Sequence, residues 1–219
     1  MATILCLETA TTNCSVALSV NGSVVALRED TSKQYSHAER LHLFIEEVLK
    51  ESGISKSKLD AIAISKGPGS YTGLRIGVST AKGLCFALDL PLISVPTLAS
   101  LAHQVETTSG VIIPMLDARR MEVYSAVFQS DYSEERETQA EILTENSFLE
   151  YLKQGNVHFI GNGIAKFKAI CKHANALFIE EAMPSATQMA SLVEAKFGHK
   201  QFEGVAYFEP YYLKDFVGG

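Results

Sequence analysis

The chain has 219 residues, of which 47% are apolar and 20% charged, a composition typical of globular proteins and unlike that of disordered chains. Its 19 Lys and Arg residues against 25 Asp and Glu residues give a formal charge of −6. This charge argues against independent binding of nucleic acid, because that binding depends on basic side chains that displace counterions from the phosphates. No apolar stretch approaches the roughly 18 residues that span a bilayer, and the first residues lack the features of a secretory signal, so we expect a cytoplasmic protein without membrane contact.

The first half begins with three β-rich segments, after which helices and strands alternate. Asn21-Gly22 is a hairpin signature between the second and third segments. A capping box from Ser36 to Glu39 begins an amphipathic helix, and Gly53 ends it. The predicted elements are strands at residues 2–10, 14–20 and 23–30, a helix at 36–51, a strand at 59–65, a helix at 72–88, a strand at 92–95 and a helix at 97–106.

The second half repeats this βββαβαβα order. Its predicted elements are strands at residues 110–116, 122–128 and 138–143, a helix at 147–153, a strand at 157–160, a helix at 164–173, a strand at 177–179 and a helix at 186–197. A duplication with a period of about 105 residues predicts an α/β protein with two actin/sugar-kinase-like halves facing each other across a cleft. We place the first lobe at residues 1–107 and the second at 108–219, with the last helix or tail as a candidate to pack back on the first lobe.

The cysteines and histidines indicate no metal site. Four scattered cysteines without a C-x-x-C pair support neither a zinc cage nor a disulfide framework. His37 and His42 are five residues apart and lie on different faces of a helix, so they cannot share a metal ion. We interpret His37 as a surface residue in the first helical turn. Because a G-x-S-x-G motif is also missing, no catalytic residue is assigned.

The glycine-rich segment GPGSYTGLRIG at residues 67–77 is the most informative stretch. Glycine inside a helix costs about 1 kcal/mol relative to alanine, so the glycines of the predicted helix require a compensating role. Gly73, Gly77 and Ala81 recur at helical spacing and form a smooth groove. Such a groove lets another element approach closely, either within the subunit or from a partner. On the preceding helix, Leu43 lies opposite the core stripe and is either a stray surface residue or part of an interface.

Two turns could hold a nucleotide. Glu8, Thr9 and Thr11 belong to the first hairpin, where sugar kinases carry an Asp-x-Gly phosphate loop; a plain β-turn is the alternative. Gly161 and Gly163 occupy the position of the adenosine-side turn of that superfamily, although a simple strand-to-helix turn explains them too.

A pair of arginines marks the hairpin turn of the second half, in the segment DARRMEVY. Arg119 and Arg120 lie between the acidic residues Asp117 and Glu122. The group is either a salt-linked turn or a basic edge facing the cleft, able to reach a phosphate or the carboxylates of a partner.

These segments together resemble the TsaB (YeaZ-like) family. The resemblance covers nearly the whole chain and runs through LETATTNCSVAL, SHAERLHLFIEEVL, GPGSYTGLRIGVSTAKGL, VPTLASLA, DARRMEVY, GNG and EPYYL. It implies an actin-like fold and a non-catalytic scaffold or dimerisation subunit required to form threonylcarbamoyladenosine at position 37 of tRNAs. It also implies a TsaD-like catalytic partner and a TsaE-like ATPase, which would hold the ATP and metal, so no cofactor is expected on this chain and tRNA is met only through the complex.

In that family the helices matching residues 36–51 and 72–88 pack on TsaD, or on a second copy of the chain when TsaD is missing. The contact residues implied on these two helices are His37, Arg40, Leu43, Glu47, Gly73, Gly77, Thr80, Ala81 and Leu84. Glu8 stands where many members have Asp, which argues further against an independent nucleotide site. The alternative function is that of an ATP-dependent kinase or ATPase acting in the interlobe cleft, since the fold permits either.

Overall fold

The computed structural model describes residues 2–31 and 37–214. The order βββαβαβα occurs twice in these residues, which confirms the predicted duplication. The first set is β1 (Thr3–Glu8), β2 (Cys14–Val20), β3 (Ser23–Asp30), α1 (His37–Ser52), β4 (Ala61–Gly67), α2 (Tyr71–Leu88), β5 (Leu92–Pro96) and α3 (Thr97–Ala102). The second is β6 (Val111–Asp117), β7 (Glu122–Gln129), β8 (Glu134–Ile142), α4 (Leu149–Leu152), β9 (Val157–Ile160), α5 (Ile164–Ile170), β10 (Ala176–Ile179) and α6 (Ala186–Gly198).

Each set of strands forms a five-stranded mixed sheet of the same topology. Sheet A has the order β3-β2-β1-β4-β5, and sheet B has the order β8-β7-β6-β9-β10. In both, the first three strands pair antiparallel as a meander and the last two pair parallel. The predicted α/β fold class with two duplicated halves is therefore confirmed.

Sheet A is covered on both faces. Alternate residues of β1 serve the two sides, because successive side chains of a strand point in opposite directions. Leu5 and Leu7 join the apolar core beneath α1 and α2. Ile4 and Cys6 join a second core beneath α6. The central strand is consequently buried throughout, and its cysteine is enclosed rather than reactive.

The core of the second sheet is built around aromatic rings. Phe159 of β9 and Phe167 of α5 lie with their ring centroids 4.9 Å apart in an edge-to-face arrangement. Phe148 and Phe178 contact the same two rings. The strand β8 begins at Glu134, four residues before the predicted start, because its polar side chains lie at an open sheet edge where burial does not constrain the pattern.

Contacts divide the chain into two units, residues 1–100 with 184–219 and residues 101–183. The sequence placed the boundary at 107/108 instead. The last helix, α6, packs back on sheet A, the possibility that the sequence offered for the last helix or tail, and Met189 and Val193 are buried there with residues of β1 and β5. Ser36, the predicted start of the first helix, lies outside the described residues. No helix among the described residues has both the length and the apolar character needed to cross a membrane.

Candidate functional site

The glycine groove of α2 packs inside its own unit. A Cβ atom on Gly73 would overlap the Thr9 carbonyl oxygen, and one on Gly77 would overlap the Thr9 side chain and lie 2.9 Å from a methyl group of Ile64. The Thr9 hydroxyl donates to the carbonyl oxygen of Gly73 at 2.8 Å. Ala81 is fully buried in the same layer. The prediction that these three small residues meet a partner is wrong, because Thr9, which follows β1, fills the groove at Gly73 and Gly77, and Ala81 is buried in the core.

The outward face of α2 is a different stripe. Its exposed positions recur every three or four residues, at Thr72, Arg75, Ser79, Gly83 and Phe86. Phe86 is 87% exposed, which is unusual for so large an apolar side chain. Nothing lies within 4 Å of the Cβ position of Gly83, so this side of the helix is open. The sequence interpretation missed Phe86, although the spacing of Gly83 and Phe86 from Ser79 could have placed them on one face.

The outward face of α1 lies next to it. Both helices cover the same side of sheet A and contact each other. Leu43 is 49% exposed, on the side of α1 opposite the core, as the helical wheel predicted. Arg40 and Glu47 reach back to β3, where Arg40 pairs with Asp30 and Glu47 with Arg28, both at 2.9 Å. Thr80 and Leu84 of α2 are half-buried, and Leu84 packs on the core below.

His37 is buried, not exposed as predicted. Its Nε2 donates to the carbonyl oxygen of Thr11 at 2.7 Å, and only 2% of the residue is accessible. Burial lowers the pKa of His37, while the hydrogen bond to Thr11 and the charge of Asp30 oppose that shift. The side chain ties the start of α1 to the first hairpin, so it is not available to a partner.

The C-terminal segment borders the outward face of α2. The backbone N–H of Tyr211 donates to the carbonyl oxygen of Lys66 at 2.7 Å. Lys82 donates to the carbonyl oxygens of Ala206 and Phe208 at 3.1 and 2.9 Å. Tyr207, between those two anchors, is 90% exposed. The side of α2 that carries Lys82 is thus flanked by a segment that presents an aromatic ring to solvent.

The first hairpin is closed by its own chain. The Glu8 carboxyl group is fully buried and accepts a hydrogen bond from the backbone N–H of Ala10 at 2.6 Å. The Ala10 carbonyl oxygen accepts from the backbone N–H of Ser70 at 2.7 Å, and Gly69 packs against Ala10 so closely that a Cβ atom would overlap it. A phosphate entering this turn would find the Ala10 N–H already taken by a carboxylate.

Burial also changes the ionisation of Glu8. Loss of solvent raises its pKa from 4.5 to about 7, and hydrogen bonds from Ala10, Ser65 and Thr9 oppose the rise. Thr9 and Thr11, the other two predicted nucleotide ligands of this hairpin, are buried with their polar groups bonded to Gly73 and to the backbone N–H of Asn13.

The second predicted nucleotide turn has a packing role. Gly161 adopts a left-handed backbone, φ 109°, and a Cβ atom there would overlap the carbonyl oxygen of Met115. The backbone N–H of Gly163 donates to that same carbonyl oxygen at 3.0 Å. Both glycines are buried, and they let the β9–α5 turn lie directly against β6. Across residues 2–31 and 37–214, no three His, Cys, Asp or Glu side chains cluster as metal ligands would.

The repeated βββαβαβα order, with two sheets of equal topology, defines an α/β protein of the actin/sugar-kinase-like class. Residues 29–216 match the family model described as TsaD, tRNA N6-adenosine threonylcarbamoyltransferase. The tRNA threonylcarbamoyladenosine biosynthesis protein TsaB of Haemophilus influenzae is 32% identical over 98% of this chain and 94% of its own length. TsaB of Escherichia coli is 32% identical over 98% of this chain and 95% of its own length. The chain belongs to the TsaB (YeaZ) family.

Solved structures agree with that assignment. YeaZ from Pseudomonas aeruginosa superposes with a TM-score of 0.80 at 27% identity, covering 97% of this chain and all of that one. The tRNA N6-adenosine threonylcarbamoyltransferase of Bacillus subtilis is 31% identical over 128 residues, which are 52% of this chain but 37% of that enzyme. This chain therefore shares with the transferase a segment of about one third of the enzyme's length.

Proposed function

We propose that this chain is the non-catalytic subunit of a cytoplasmic system that forms N6-threonylcarbamoyladenosine in tRNA. In this role it binds and activates a TsaD-type catalytic subunit together with a TsaE-type ATPase, and it pairs with a second copy of itself when alone. The names of its full-length relatives support a role in threonylcarbamoyladenosine biosynthesis. The match to the TsaD family model supports a partner of related fold. ATP and metal belong to the partner subunits, and tRNA meets this chain only in the complex.

The observation that carries the proposal is the outward face of α1 and α2. Phe86 and Leu43 are large apolar side chains left 87% and 49% exposed on two adjacent helices. Exposed apolar side chains that lie together, as on these two contacting helices, are typical of interaction sites. Ser79 and Gly83 add no bulk beside Phe86, so a partner helix can approach the backbone of α2 closely and enclose the ring.

The interior of the first unit supports a non-catalytic role. A kinase needs free backbone amides at its phosphate loop, whereas here the Glu8 carboxyl group takes the N–H of Ala10, and the turn before α2 covers the loop. No observation specifically favours the alternative of an ATP-dependent kinase.

The decisive experiment replaces Phe86 with alanine and measures binding to the purified TsaD-type subunit by calorimetry. Removing a central aromatic side chain from an interface costs about 1.4 kcal/mol or more, so we expect affinity to fall at least about tenfold. Leu43→Asp should weaken binding as well, because it places a charge in an apolar contact. Ile142→Ala is the matched control, since Ile142 is 69% exposed but lies on β8 of the other unit.

Unchanged affinity in both variants, with circular dichroism confirming their fold, would exclude the outward face of α1 and α2 as the partner surface. Steady ATP hydrolysis by the isolated wild-type chain, persisting through further purification, would favour the kinase alternative.

A further inference from the structure

The turn between β6 and β7 carries two arginines, Arg119 and Arg120, whose side chains have no partner among the residues that the structure describes. The sequence contains six arginines. Four of them have intramolecular partners: Arg28 pairs with Glu47 and Glu51, Arg40 with Asp30, Arg75 with Tyr71 and Tyr212, and Arg136 with Glu141. Within residues 2–31 and 37–214, neither Arg119 nor Arg120 forms an ion pair or a side-chain hydrogen bond, and both are exposed.

The carboxylate nearest in sequence is already neutralised by another cation. The Asp117 carboxylate accepts hydrogen bonds from Lys166 at 3.0 Å and from the backbone N–H of Arg119 at 2.6 Å. Lys166 also donates to the carbonyl oxygen of Glu122 at 3.1 Å. The turn thus combines three cationic side chains with the two carboxylates of Asp117 and Glu122. The first alternative from the sequence, a turn in which the arginines are salt-linked to their acidic neighbours, is not what the structure contains.

The backbone holds the two arginines in a fixed, unusual conformation. Arg119 and Arg120 have φ values of 69° and 45°, in the left-handed region that L side chains rarely adopt. The backbone N–H of Glu122 donates to the carbonyl oxygen of Arg119 at 3.0 Å, and the N–H of Ala118 donates to the carbonyl oxygen of Glu122 at 3.0 Å. Glycine or asparagine would suit these positions better, so the choice of two arginines requires a reason other than the turn itself.

We propose that the Arg119–Arg120 turn binds the phosphate backbone of the RNA on which the assembled complex acts. A guanidinium group presents two parallel N–H donors that match the oxygens of a phosphate, and successive phosphates of one strand can engage adjacent arginines. With a formal charge of −6, the chain as a whole repels RNA, so a local cationic contact is what lets its surface lie against a tRNA. The assignment of RNA rather than an acidic protein surface rests on the proposed function.

The test uses the complete complex of this chain with its TsaD-type and TsaE-type partners and unmodified tRNA. Arg119→Asn and Arg120→Asn are combined, because asparagine tolerates the left-handed backbone and keeps the turn folded. The matched control combines Lys153→Ala and Lys172→Ala, which removes the same charge from exposed positions of the same unit. Fluorescence anisotropy gives the tRNA dissociation constant as a function of salt, and size-exclusion chromatography reports assembly of the complex.

We expect the arginine variant to bind tRNA about tenfold more weakly at physiological salt, with the slope of log affinity against log salt reduced by about 1 to 2. Assembly should be unchanged, and the lysine control should bind tRNA like the wild type. Equal tRNA binding by the arginine variant and the lysine control would overturn the proposal.

Loss of assembly with normal tRNA affinity in the complex that does form would also overturn it, and would identify the turn as a protein contact. If instead the wild-type complex neither binds nor modifies tRNA, the proposed function itself fails. That result is distinguishable because it appears without any substitution.

Discussion

The burial of the Glu8 carboxyl group could not be predicted from the residues around it in the sequence. The segment around it predicted either a nucleotide loop or a plain β-turn, and the carboxyl group is fully enclosed between the ends of β1 and β4. Nothing in the sequence showed that the chain returns to cover it, because Ser70 and Gly69 lie some sixty residues away. Burial of a polar group is a tertiary property, whereas the turn itself is local and was predictable.

The raised pKa of Glu8 predicts a pH dependence of stability. The unfolded chain ionises Glu8 near 4.5, while the folded chain does so only near 7. Between these values the unfolded state binds fewer protons, so this group lowers the free energy of unfolding as the pH rises, and the loss is complete above 7. From pH 5 to pH 8 we expect the free energy of unfolding of the Glu8→Gln variant to rise by about 2 kcal/mol relative to that of the wild type.

Urea denaturation of both proteins at the two pH values measures that change. Glu46→Gln, at an exposed position of α1, is the control and should follow the wild type at both pH values. If the Glu8→Gln and wild-type stabilities change in parallel with pH, the buried carboxyl group does not titrate as described.

At the scale of elements, α2 shows what a helical pattern can and cannot predict. Its existence, length and amphipathic character followed from the sequence, and the structure places it at Tyr71–Leu88 against the predicted 72–88. The pattern also showed that more than one face requires burial. It could not show that Thr9 fills the glycine face, because a wheel contains no information on long-range neighbours. The sequence therefore assigned the glycine face to a partner and missed the exposed face with Phe86.

Replacing two glycines of α2 with alanine should change the free energy of unfolding in opposite directions. At Gly77 the added methyl group meets Thr9 and Ile64, so we expect Gly77→Ala to destabilise the protein by about 1–3 kcal/mol. At Gly83 the added methyl group meets open space, and alanine is the better helix former, so Gly83→Ala should stabilise by about 0.5–1 kcal/mol.

Chemical denaturation of both variants at two protein concentrations measures these changes and separates folding from self-association. Equal and small effects at the two positions would mean that the groove around Gly77 is looser than its contacts indicate.

For the whole molecule, the repeat was visible in the sequence and the last helix or tail was a candidate to pack back on the first lobe, but the division after residue 100 was not predicted. Periodicity placed the last helix, and the structure has it at Ala186–Gly198 against the predicted 186–197. Its contacts belong to sheet A, where Ser15 accepts a hydrogen bond from the backbone N–H of Ala186 at 2.9 Å. The apolar stripe of a helix such as α6 shows which of its faces is buried but not which sheet that face covers.

This grouping predicts how fragments behave. Residues 1–107 lack α6, which leaves the face of sheet A formed by Ile4, Cys6 and Val95 without its cover. We expect that fragment to aggregate or to bind a hydrophobic dye. A chain that joins residues 1–100 to 184–219 through a flexible linker restores the cover and should unfold cooperatively in urea. Cooperative unfolding of residues 1–107 at the midpoint of the full-length chain would contradict the grouping.

The same position of α6 sets an order of events on the ribosome. β1 emerges before the other described strands, yet one of its two faces receives its cover only when residues 186–198 have been made. Residues 101–183 contain their own sheet and aromatic core and emerge complete before that point. We therefore expect the unit of residues 101–183 to reach its native structure first during synthesis, while the unit that contains sheet A stays partly uncovered until residues 186–198 have emerged.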